Sequence, residues 1–269
     1  MMSEPLEPPR TRASLRADLA ALGVRPGSVL IVHSSVRALG WVAGGPVAVV
    51  QALRDVLGPD GTLVVPTHTP GNSDPAVWRN PPVPESWWPV IRDEMPGFDP
   101  TLTPSQWMGS VPELVRTWPG ARRSDHPHVS FAALGPAADQ IVRNHRLDSM
   151  LGEQSPLARI YALGGDVLLL GVNHRSNTSL HLAEYRVPHP QTAPLGAAVL
   201  ARGARRWVWW DDVAVDESDF EVLGADLDGS GIVRLGQVGS ARCRLMPQRD
   251  AVDFAVDWFV ANRKPKSLS

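Results

Sequence analysis

Only one cysteine, Cys243, occurs in 269 residues. That excludes an internal disulfide framework and any zinc or iron–sulfur site built on several thiolates. No apolar run reaches the ~20 residues that a bilayer-spanning helix requires. The first thirty residues carry acids, prolines and arginines without the apolar core of a secretion signal, so a cytoplasmic location is expected. Neither sign of charge dominates: 26 basic against 28 acidic residues leave −2, which supports no nucleic-acid partner. HExxH, a Walker A loop, GxGxxG and GxSxG are all missing. Their absence weakens metalloprotease, nucleotide-hydrolase, dinucleotide-binding and α/β-hydrolase readings.

What is present describes a folded chain, 43% hydrophobic and 20% charged. Residues 1–12, rich in proline and charge, are expected to be flexible, and 13–269 to form one domain. Charge is unevenly distributed. Between Asp211 and Asp228 there are eight carboxylates and no Lys or Arg, while Arg122, Arg123, Arg202, Arg205 and Arg206 form small basic groups. Each cluster reads either as solvated surface or as one side of a protein that holds a cationic and an anionic ligand.

Periodicity predicts a helix over 13–22, a strand over 28–35, a helix from Pro46 to Gly58 and a strand over 61–69. Such a unit implies a parallel pair with a crossover. Residues 68–107 then hold nine prolines and four tryptophans, which predicts a long loop ordered by packing. Ser110 with Glu113 suggests a capping box. Strands are expected over 130–134 and 166–172, helices over 135–145, 155–161 and 177–186, and a hairpin over 197–210 turning near Gly203. A strand over 240–246 and an amphipathic helix carrying Val252, Ala255, Val256 and Phe259 close the pattern. The fold class expected is α/β, a three-layer α/β/α architecture with a mixed central sheet and the Trp/Pro-rich loop.

The segment NTSLHLAE after the strand DVLLLGV is the most informative for chemistry. His181 and Glu184 stand at i and i+3, so a carboxylate can fix the tautomer of an imidazole and raise its basicity, as a general base needs. Free N–H groups in the first turn would suit a developing oxyanion; a surface ion pair is the plainer alternative. His33, Ser34 and Ser35 end one strand, and Thr67, His68 and Thr69 end another, where hydroxyls serve either a phosphate chain or ordinary turns. RRSDHPHVS (122–130) reads as a solvated turn or as a phosphate clamp. Cys243 reads as a buried small hydrophobe.

These residues also carry a resemblance. HSSVRALG (33–40), PTHT (66–69), WRNPPVPESWW (78–88), MPGFDPTLTPSQWMG (95–109), RRSDHPHVSFAALG (122–135), LGEQSPLARIY (151–161) and LLLGVNHRSNTSLHLAEYR (168–186) resemble, in collinear order, the aminoglycoside 3-N-acetyltransferase family. That fold is distinct from the GNAT acetyltransferases. The resemblance implies acetyl transfer from acetyl-CoA to the 3-amino group of the 2-deoxystreptamine ring of an aminoglycoside, direct and without metal, conferring resistance. It implies His181 as the base, Glu184 orienting it, and Thr178 or a nearby N–H at the oxyanion. Ser34, Ser35 and Val36 match the family's CoA-binding turn, and Arg122, Arg123 and Ser124 are expected at the phosphates. Asp74, Trp88, Asp99, Asp211 and Asp212 are expected at the antibiotic, with Trp207, Trp209 and Trp210 either stacking on sugars or building the hairpin. The protein is expected as a monomer or homodimer. Two other classes remain open: a metal-dependent amidohydrolase or deacetylase using His33, His68 and His181 with Glu184, and a binding protein without turnover.

Overall fold

The computed structural model describes residues 8–263. Of the stretch expected to be flexible, residues 1–7 lie outside the described residues. Arg10 pairs with the neighbouring loop, its amide donating to the Trp41 carbonyl at 2.8 Å. Helix α1 (Arg12–Leu22) then opens on Thr11, whose hydroxyl accepts from the Ser14 amide, and closes on Gly23.

A seven-stranded mixed sheet forms the centre, in the order β3-β4-β2-β1-β5-β9-β8. Its strands are β1 (Val29–Ser34), β2 (Thr62–Pro66), β3 (Arg122–Arg123), β4 (Phe131–Leu134), β5 (Asp166–Leu170), β8 (Arg234–Val238) and β9 (Ala241–Pro247). The inner trio β2, β1 and β5 is parallel, its neighbours β4 and β9 run antiparallel to it, and the edge strands β3 and β8 are antiparallel to those neighbours. The crossover between β1 and β2 is α2 (Gly45–Leu57), with Pro46 in its first turn and Gly58 at its end (φ 68°). Both punctuation marks are legible in the sequence.

Pleating sorts the core into two layers. Leu30 and Val32, Leu63 and Val65, and Leu168 and Leu170 face one apolar cluster under α1, α2 and α4 (Ser110–Arg116). Ile31, Val64, Val167 and Leu169 face the other, packed by α5 (Ala138–Val142), α6 (Pro156–Ala162), α7 (His181–Glu184), α8 (Phe220–Gly229) and α9 (Gln248–Asn262). The three-layer α/β/α expectation holds. The same alternation carries His33 to the α7 side of the sheet.

A second, two-stranded sheet is the hairpin β6 (Thr192–Ala201) and β7 (Ala204–Val213), longer at its open end than its sequence pattern. Its turn puts Arg202 at φ 52° and Gly203 at φ 78°, the pair of positive φ values that matches hairpin twist. The Trp/Pro loop packs on this hairpin. It contains α3 (Trp88–Glu94), bridges Ser73 to Ala197 and Phe98 to Val199, and receives Arg205 on the carbonyls of Arg92 and Met95.

Three local expectations fail. The capping box at Ser110 does not form; Gly109 precedes the helix and Glu113 instead accepts from Ser105 and Arg116. The helix expected over 135–145 is only α5, because Arg143 is extended and Asn144 turns left-handed (φ 49°). The one expected over 177–186 is a 3-10 turn at Thr178–Leu180 followed by the four residues of α7.

Candidate active site

Ligands gather beyond the carboxyl ends of parallel strands, and here β2, β1 and β5 deliver Thr67–Thr69, Ser34–Val36 and the segment 171–181 to one rim of the sheet. At its centre is the His181 ring. Its Nδ1 lies 2.6 Å from Glu184 Oε2, and the two side chains are 8% and 4% exposed. A carboxylate only accepts, so Nδ1 carries a proton, and in the neutral ring the lone pair is on Nε2. Among the described residues Nε2 has no hydrogen-bond partner, and it is not sealed from the surface. Phe220 backs the ring at 4.7 Å. Glu184 Oε1 accepts from the Asp216 amide at 2.9 Å and from Arg263 at 2.5 Å, so its buried charge is compensated on both oxygens.

Thr178 lies beside this pair, its Oγ1 3.2 Å from His33 Nε2. Burial, and secondarily the His181 imidazole, push the His33 pKa down to about 3, leaving it neutral. The oxyanion argument from a helix N-terminus weakens, because four residues make little macrodipole. Ser34 Oγ and His68 Nε2 are buried without a partner, unlike most buried polar atoms. Among the described residues, no three His, Cys, Asp or Glu side chains are grouped to hold a metal ion. The histidines that the metal reading invoked are thus neighbours without being a ligand set.

The residues of the expected phosphate clamp have internal and surface partners. Arg122 and Arg123 form β3, the sheet edge farthest from β5 on that side of the order. Arg122 pairs with Asp139 on the surface. Arg123 spends its guanidinium on Thr67 O, Pro100 O, Thr103 O and the hydroxyls of Thr67 and Ser130. Burial, with Arg116 nearby, lowers its pKa to about 10. Ser124 Oγ accepts from the Phe131 amide and meets His145 Nδ1. Arg123 thereby braces the Trp/Pro loop. Arg123→Ala is expected to lower stability by about 2–4 kcal/mol, because several buried carbonyls lose their donor. A selective rise in the KM for acetyl-CoA, with an unchanged urea midpoint, would restore the clamp.

The acidic expectation also changes. Asp74 is held in a bidentate pair with Arg92 at 2.7 and 2.9 Å, and Arg92 lies over Trp88 and Trp209. Asp99 caps Thr101 and Leu102. Strand alternation exposes Asp211 and buries Asp212, which accepts from the Met150 amide at 2.7 Å. Burial raises the Asp212 pKa. Farther along, Asp219 pairs with Arg263, and Asp228 with Arg244 and His174. Trp210 packs on His128 at 5.1 Å, a structural use, while Trp209 is exposed.

One feature was missed. An open cleft of about 490 Å³ lies past the ends of β1 and β5, lined by Ala38, Gly171, Asn173, Ser176, Arg242 and Arg244 among others. Arg242 is exposed and has no partner among the described residues, whereas Arg244 is tied to Asp228. Its signal in the sequence is the pair of arginines in ARCR, within the segment expected only as a strand.

The family described as aminoglycoside 3-N-acetyltransferase matches residues 31–260. The chain belongs to that family. It is 44% identical over 255 residues to the SPbeta prophage-derived aminoglycoside N(3')-acetyltransferase-like protein YokD of Bacillus subtilis, covering 94% of each chain. The crystal structure of YokD superposes with a TM-score of 0.93, covering 95% of each chain. Aminoglycoside N(3)-acetyltransferase VII of Streptomyces paromomycinus is 40% identical, covering 93% of this chain and 91% of that one. A solved structure of AAC-IIIb, binary with CoASH, has a TM-score of 0.83 at 31% identity, covering 95% and 99%. Membership makes the chain an acetyltransferase, and the hydrolase and binding-protein readings end there. No described helix is long and apolar enough to cross a membrane.

Proposed function

We propose that the protein transfers an acetyl group from acetyl-CoA to the 3-amino group of the 2-deoxystreptamine ring of aminoglycosides, directly, with His181 as general base. One observation carries this reading: a buried imidazole whose Nδ1 is fixed by Glu184 at 2.6 Å while Nε2 stays open. An amine protonated near neutrality must lose a proton to attack, and Nε2 is the atom that takes it. Acetyl-CoA supplies the acetyl group as a thioester. Ser34, with its unpartnered hydroxyl, and the 34–36 turn support a donor site at this rim. The cleft beside it, with Arg242 uncommitted, supports the donor's phosphates there instead of at Arg122 and Arg123. Thr178 is the proposed oxyanion neighbour.

The test is thiol release from acetyl-CoA across a panel of aminoglycosides, with product regiochemistry by NMR. Release that depends on the antibiotic is expected, and Arg242→Ala should raise the KM for acetyl-CoA about tenfold, the worth of one charged hydrogen bond. No release with any aminoglycoside would sink the acceptor assignment. A second reading is favoured by the internal pairing of Asp74, Asp212 and Asp219. It is an amine acceptor with fewer positive charges than an aminoglycoside, and a monoamine arm in the same panel detects it.

A further inference from the structure

Glu184 has a cationic partner besides the imidazole. The Arg263 guanidinium reaches Glu184 Oε1 at 2.5 Å, donates to both Asp219 oxygens at 2.7 and 2.6 Å, and donates to the Asp216 carbonyl at 2.6 Å. One residue thereby ties α7, the 216–219 loop and the end of α9. An aromatic route runs beside the polar one. Arg263 lies over Phe259 at 3.7 Å, Phe259 stacks on Phe220 at 6.2 Å, and Phe220 backs the His181 ring at 4.7 Å. Residue 263 falls beyond the 31–260 span that the family match covers, and it is 79 positions from Glu184.

We infer that Arg263 is a positioning residue for acetyl transfer, holding Glu184, and through it the His181 imidazole, in the orientation that leaves Nε2 open. This rests on the reading of His181 as the base. A carboxylate gripped on one oxygen only is free to rotate away from the ring. Gripping the other oxygen with a guanidinium and a backbone amide fixes its plane, and the fork of Arg is suited to that. Asp219 fixes the guanidinium in turn. Burial works against the charge of Arg263, but the hydrogen bonds to Asp219 and Glu184 outweigh it and raise its pKa.

Arg263→Met is expected to lower kcat about 10–100-fold while the KM for each substrate stays within about twofold, as for loss of an outer partner of a functional imidazole. Arg263→Lys, which keeps the charge without the fork, should recover part of that loss. In a Glu184→Gln background, Arg263→Met should cost less than about twofold, because the effect passes through that carboxylate. Circular dichroism and thermal unfolding report the folded fraction of each variant. Wild-type kcat in folded Arg263→Met, or equal losses in both backgrounds, overturns the inference. Should Arg263→Met fail to fold, Arg263→Lys and Asp219→Asn decide: both must lower kcat at unchanged KM, and wild-type kcat in both overturns it. Wild-type turnover in His181→Ala would instead sink the underlying assignment of the base, independently of Arg263.

Discussion

His181→Ala is expected to lower turnover by roughly 10²–10⁴, the usual contribution of a positioned general base. The KM for acetyl-CoA should change little, since the proposed role of the imidazole is toward the amine. The fold should tolerate the change, because Glu184 keeps Arg263 and the Asp216 amide when the ring is gone. Glu184→Gln is the harsher substitution for stability. Its amide NH₂ must face either the Nδ1–H of His181 or the two donors on Oε1. Leaving such a cluster mismatched in the interior costs about 3–5 kcal/mol. Steady-state thiol release and a urea midpoint separate the two effects. Near-wild-type turnover of His181→Ala at pH 7 would remove the imidazole from the mechanism.

The second large effect is loss of stability in acid. Burial pushes the pKa of His33, His68 and His145 down to about 3 and that of His128 to about 4, and it holds His126 well below its ordinary value. The rings of His126 and His145 lie 4.7 Å apart, so a proton on one would oppose a proton on the other. Unfolded histidines titrate near ~6.5. Between that pH and about 4, the unfolded chain binds protons that the native chain refuses, so stability falls with pH. Each such histidine contributes up to about 1.4 kcal/mol per pH unit. Asp125 and Asp212, raised first by burial, act in the opposite sense, but the histidines outnumber them. By pH 5 the loss is expected to reach several kcal/mol, a large part of the ~5–15 kcal/mol of a typical domain. Urea midpoints from pH 7 to pH 4, with proton uptake measured calorimetrically in two buffers, check this. A flat midpoint between pH 7 and pH 5 would refute it.

What could be read along the chain was local. Pro46 and Gly58 bracket α2, Gly203 turns the hairpin, and His181 and Glu184 meet at i and i+3, because each rests on backbone geometry within a few residues. Even here the helix around His181 was overestimated. Its apolar spacing suits a full helix, yet Asn177 caps only the Ser179 amide and a 3-10 turn precedes the four residues of α7. The partners of the charged residues were not legible, for a different reason. Asp74 and Asp212 looked available because their partners, Arg92 and the Met150 amide, lie 18 and 62 residues away. Arg122 and Arg123 looked like a clamp because the strand order that sends them to the sheet edge has no local signature.

The sequence alone determined the family, through its collinear motifs, and the parallel core unit and the His181–Glu184 pair, because turn residues, apolar periodicity and helical spacing act over short separations. The tertiary structure decided which charges remain uncommitted. An ion pair depends on side chains that only the packed sheet and its two helical layers bring within hydrogen-bond distance. Thus the acid-rich stretch that carries no Lys or Arg of its own receives Arg244 and Arg263 from β9 and the end of α9. Arg242, which faces the cleft two residues before Arg244, receives no partner among the described residues.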